Sequence, residues 1–123
     1  MLLLLVLPGL SGHTGRACPR RAPPTIALER TSVTGLAHKD GTVSMARAGE
    51  DTGRSELFIC IGDQPSLDFG GARNPDGQGF AAFGRVVRGM HVVRKIQMSR
   101  ATGERLAPPV RMVRARLQTM QIR

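Results

Sequence analysis

At 123 residues, with 41% hydrophobic content and a net charge of +9, the chain has room for one domain with a packed core. Four Phe and no Trp or Tyr make that core aliphatic, with few ring anchors. No apolar run reaches the roughly 20 residues of a membrane span, and Cys18 and Cys60 lack the neighbours of a metal site or a nucleophile.

Met1–Leu10, MLLLLVLPGL, opens on an apolar run that no basic residue precedes and that Pro8-Gly9 interrupts. A secretory core takes about 7–15 apolar residues, so the expectation is a poorly structured apolar start and a cytoplasmic, thiol-reducing location. His13–Pro24 is rich in Pro, Gly and Arg without periodicity and reads as a disordered lead-in, which places the domain at 25–118 with a basic tail at 119–123. Ile26 and Leu28 alternate with polar or small neighbours in Thr25–Arg30, a short strand candidate, and Asp40-Gly41 marks a turn.

Three apolar runs follow, Thr42–Ala46, Leu57–Ile61 and Phe80–Val87, between loops dense in Gly, Asp, Asn, Pro and Ser. Their length and their turn-forming borders predict buried strands, arranged as an antiparallel barrel or sandwich. Met90, Val93 and Ile96 recur at three-residue spacing and predict a short amphipathic helix over Met90–Gln97, with Arg94 and Lys95 toward its C-terminal end. Ser99–Pro109 reads as a loop. Val113, Ala115 and Leu117 alternate with Arg114 and Arg116, which predicts a half-buried last strand pairing with the first and closing the barrel.

The strand words are specific. Ser44-Met45-Ala46-Arg47-Ala48, then Ser55-Glu56-Leu57-Phe58-Ile59, then Phe83-Gly84-Arg85-Val86-Val87-Arg88-Gly89-Met90 resemble the cyclophilin patterns S-M-A-x-A, S-Q-F-F-I and F-G-x-V-x-x-G-M, in that order. The resemblance runs from Ile26 to Leu117. It implies a mainly β, partial cyclophilin-like antiparallel barrel with one short helix, and a peptidyl-prolyl cis-trans isomerase acting on proline-containing peptides or unfolded proteins. The family's F-H-R…F-x-x-Q-G-G segment, with its catalytic Arg, has no match here. The chain thus resembles a cyclophilin without its first half, with weak or lost activity.

Prolyl isomerisation crosses a barrier of roughly 18–20 kcal/mol set by amide resonance. A catalyst binds the twisted amide better than the planar one. It needs an apolar pocket, backbone hydrogen bonds to the flanking chain and a donor near the prolyl nitrogen; no metal or cofactor is required. Position by position, the resemblance places Ala46, Arg47 and Ala48 in the loop whose backbone pairs with substrate, and Phe58 and Leu67 in the proline pocket. Phe80 falls at the pocket rim. Arg47 stands where Asn is common, Glu56 replaces a Gln and so lacks the amide donor, and Leu57 replaces a core Phe. Ser66 lies where some members carry a Trp linked to ciclosporin binding, which implies poor affinity for that drug.

Without the resemblance, Phe58 and Leu67 would read as ordinary core and Glu56 as a solvated carboxylate. His38 and His91 have no convergent partners in sequence, and no Ser–His–Asp order stands out. Gly70–Gly77 precedes a strand rather than a helix and is no phosphate loop. Residues 85–123 hold ten Arg or Lys against the single acid Glu104. With no aromatics interleaved to stack on bases, nucleic-acid binding is the weakest reading, behind a non-catalytic proline-peptide module.

Overall fold

Among the described residues, nine short elements carry the domain. The computed structural model describes residues 2–6, 24–103, 105–116 and 118. Strands β1 (Leu2–Val6), β2 (Thr42–Met45), β3 (Glu56–Cys60) and β4 (Ala81–Arg85) form one antiparallel sheet in the order β1-β3-β2-β4. Helix α1 is a single turn at Thr31–Thr34, and α2 spans Met90–Gln97 as the spacing predicts. β5 (Ala101–Thr102) and β6 (Arg105–Leu106) make a small hairpin inside the stretch that reads as a loop.

β3 lies inside the sheet, between β1 and β2, and its Phe58, Ile59 and Cys60 are all buried. A run buried on both faces has no reason to alternate, and this one does not. β2 alternates, but its inward residues are Thr42 and Ser44 rather than Val43 and Met45. Polar side chains are tolerated there because each is bonded: Thr42 Oγ1 accepts from the Lys39 amide, and Ser44 meets His38. Between Val43 and Ser44 the register to β4 slips, so that Gly84 and Ala82 are paired while Phe83 is left over as a bulge with its ring half exposed.

Helix α2 starts at Gly89 and turns Met90, Val93 and Ile96 partly inward. Its Arg94 donates to Asp40 at 2.6 Å, fastening the helix to the turn before β2.

Three expectations are corrected. Leu2–Val6 is not structureless: it pairs antiparallel with β3 along all five residues, from Leu2↔Cys60 to Val6↔Glu56. Thr25–Arg30 is not a strand but a single bridge, Ile26 to Gly53, because the Leu28 amide is diverted to the Asp51 carboxylate at 2.7 Å. Residues 113–116 form no strand, and Val113 is 90% exposed. Leu117 and the tail beyond 118 lie outside the described residues, as does the lead-in at 7–23. Among the described residues the sheet is therefore open rather than closed into a barrel.

Cys60 is a free, fully buried thiol. Burial, which disfavours the thiolate, pushes its pKa from 9.0 up to about 11. In a Cys18→Ser background, native Cys60 should react with a thiol reagent on the order of a hundredfold more slowly than the same thiol in urea, since thiolate is the reactive form. Equal rates would mean that β3 opens freely. The raised pKa also sets a sign: this contribution to stability is complete below pH 9 and is lost as pH climbs toward 11.

Candidate functional site

The segments after β2, within β3 and around β4 converge on one apolar cluster. Phe58 (4% exposed), Cys60 and Leu67 (2%) form its buried centre, and Ala46 and Phe80 pack against it. The Phe58 and Phe80 rings meet edge to face, with centroids 5.3 Å apart and planes at 88°, the geometry their quadrupoles favour. Leu67 closes a 3-10 turn that Pro65 opens, and its carbonyl accepts the Phe80 amide at 2.9 Å.

Behind Phe58 stands His38, stacked at 6.1 Å and 19°. Its ring bridges Asp68, 2.7 Å from Nδ1, and the Ser44 hydroxyl, 2.9 Å from Nε2. A carboxylate only accepts, so Nδ1 carries the proton, and in the neutral ring Nε2 accepts from Ser44. His38 thus has two convergent partners that sequence spacing does not reveal, and an Asp–His–Ser line does exist. It is structural: Ser44 is 0% exposed, so no substrate carbonyl reaches its oxygen. The line fastens the turn that carries Leu67 to strand β2. His91 is exposed on α2.

Arg47 forms the other side. Its side chain is only 3% exposed and makes a bidentate pair with Asp76, Nη1 and Nη2 donating at 2.8 and 2.9 Å, while Nε donates to the Gly79 carbonyl at 2.8 Å. The guanidinium carbon lies 5.4 Å from the Phe80 ring centroid. These bonds, and that from the Gln78 amide, hold the Asp76 carboxyl down at about 2. Because this value is below the ordinary 3.8, the pair's support is present above pH 3.8 and fades as pH falls toward 2. In an acid titration followed by NMR, the Arg47 Nη–H signals, which face Asp76, should begin to broaden only below pH 4; loss at pH 5 would mean that another group holds them.

Of the seven residues singled out from sequence, Ala46, Arg47, Phe58, Leu67 and Phe80 come together. Ala48 and Glu56 do not. The Ala48 amide donates to Thr52 Oγ1 at 3.0 Å within its own loop, and Glu56 is exposed at the start of β3. A shallow surface recess opens beside Met45, Gly53 and Ala81 and shares only Arg47 with that set. Asp76, Gly79 and His38 went unrecognised. Asp76 lies in an Asn-Pro-Asp-Gly turn, where an acid needs no partner to be expected, and nothing local links it to an Arg 29 residues earlier.

Fold and cluster define a small, mainly β domain with a ring-containing apolar cluster beside an ion-paired loop. Among its described residues no group of three or more His, Cys, Asp or Glu could hold a metal, and no helix is long and apolar enough to cross a membrane. The family model for cyclophilin type peptidyl-prolyl cis-trans isomerase/CLD matches residues 11–117, beginning ahead of Ile26, where the resemblance read from the motifs starts. The chain belongs to the cyclophilin-type peptidyl-prolyl cis-trans isomerase family. It is 44% identical over 63 residues to peptidyl-prolyl cis-trans isomerase A of Dickeya dadantii, covering 50% of this chain and 31% of that protein. It is 39% identical over 70 residues to a peptidyl-prolyl cis-trans isomerase of Acinetobacter baylyi (56% and 35%), and 58% identical over 31 residues to one of Helicobacter pylori (25% and 19%). The matched stretches span about a third or less of these curated relatives.

Proposed function

We propose that this chain is a peptidyl-prolyl cis-trans isomerase of cyclophilin type, binding proline-containing segments of peptides or unfolded proteins at the Phe58–Phe80 cluster. The observation that carries the reading is the convergence of Phe58, Leu67, Phe80 and Ala46 from separate segments, with Arg47 bordering them. An apolar ring site removes water from the prolyl amide and favours the twisted form, in which charge separation along the C–N bond is smallest. Pairing of the 46–48 loop with the flanking residues falls to main-chain groups other than the Ala46 and Ala48 amides, which donate to the Glu56 carbonyl and to Thr52 Oγ1. Because Arg47 turns its side chain inward, a change from Asn at that position leaves the outward backbone unaltered.

An electrostatic donor near the prolyl nitrogen is assigned to none of the residues that converge here. The test is exchange NMR on an Ala-Pro peptide with the purified chain: saturable shifts on the proline resonances, with cis–trans exchange faster than the uncatalysed seconds-to-minutes scale. Saturable binding without faster exchange would leave a proline-peptide module, and no binding would end both readings.

A further inference from the structure

The Arg47 side chain belongs to neither the sheet nor a solvated surface, and the reaction does not explain its burial. An arginine is almost never this buried unless it is paired. Here it makes three bonds, all to one stretch: Asp76 through both terminal nitrogens and the Gly79 carbonyl through Nε. That stretch is otherwise held mainly by its own backbone, Gly70 to Gly77 at 2.7 Å, Gly77 to Asn74 at 3.0 Å and Arg73 to Ser66 at 3.1 Å. It is Gly-rich, so little in its main chain restricts it. Yet it delivers Phe80, whose amide is tied to Leu67 but whose ring direction is not fixed by that bond.

Two contacts fix the ring: the Phe58 edge contact on one side and the Arg47 guanidinium on the other. A bidentate guanidinium–carboxylate pair is geometrically rigid, as a lysine pair would not be. Asp76 is further set by accepting the Gln78 amide at 3.0 Å, and Gln78 accepts from Arg30, which also pairs with Glu50. The clamp is thus braced from the segment that precedes α1.

We infer that Arg47 is a positioning residue: by gripping Asp76 and Gly79 it holds the 74–80 loop so that the Phe80 ring stands against Phe58, fixing the width of the apolar site. Its contribution to peptide recognition rests on the function proposed above, whereas its hold on the ring does not.

The experiment uses Asp76→Asn, which keeps size at a position 39% exposed, and Arg47→Lys, which keeps charge but not the fork. Phe80 ring proton resonances, shifted by the facing Phe58 ring, are read by NMR alongside Ala-Pro peptide affinity. Both variants should remain folded, move the Phe80 resonances toward free-phenylalanine values, and bind peptide about three- to tenfold more weakly, with Asp76→Asn the milder because it leaves the Arg47 bond to Gly79 and the guanidinium against Phe80. Unchanged Phe80 resonances in both variants would overturn the inference. If the unmodified chain binds no peptide, the proposed function falls, and the Phe80 resonances alone decide for or against the clamp.

Discussion

Replacing Phe58 by alanine is expected to remove about 3–5 kcal/mol of folding stability, the usual range for deleting a buried ring. The ring is 4% exposed and meets His38 on one side and Phe80 on the other, so neither neighbour can collapse into the space without giving up its own bonds. Set against a total of about 5–15 kcal/mol for a domain, that loss brings the chain near unfolding. Urea titration checks it. A midpoint change equivalent to less than about 1 kcal/mol would mean that Phe58 is not the centre of the core. Phe58→Leu separates the two roles: it keeps apolar volume, so the chain should stay folded, yet it removes the face on which the Phe80 edge rests and should weaken peptide binding.

Gly79→Ala should be nearly as damaging, for a different reason. Gly79 has φ 70°, and a Cβ there would lie 2.6 Å from the Leu67 carbonyl oxygen and the Asp68 carbonyl carbon. Left-handed backbone costs an alanine about 1–2 kcal/mol, and wedging a methyl against packed backbone adds about 1–3 kcal/mol. Gly62→Ala is the control, with φ 75° but open space around the added carbon. Gly79→Ala should therefore lower the thermal midpoint clearly more than Gly62→Ala. Equal shifts would show that the Leu67–Gly79 approach is looser than the geometry implies.

Much of the sheet was legible in the chain. β3 and β4 are largely apolar runs between turn residues, β2 alternates within such borders, and α2 declares itself through Met90, Val93 and Ile96. The failures share a cause. Residues 113–116 alternate as a strand does, but a strand also needs an edge to pair with, and Ile26 offers one bridge instead. Leu2–Val6 reads as an apolar start because pairing with β3 is a long-range fact that composition cannot carry. The site divides in the same way. Phe58 and Leu67 are marked by their words, whereas the Asp76–Arg47 and His38–Asp68–Ser44 contacts join residues with no periodic relation. Polar partners chosen by tertiary approach leave no local pattern.

The strand order has a consequence for how the molecule breathes. Phe58 and Ser44 ride on β3 and β2, the two inner strands, while β1 and β4 are the outer ones. Opening free energies fall toward the edges of a sheet, so amides of β2 and β3 should be the last to exchange with deuterium. The wall of the site built on Phe58 and the His38 line would then persist through fraying of β4. Phe80, which leads into that outer strand, belongs to the side that yields first. An extended peptide entering the site would meet one fixed wall and one that opens on the timescale of local unfolding.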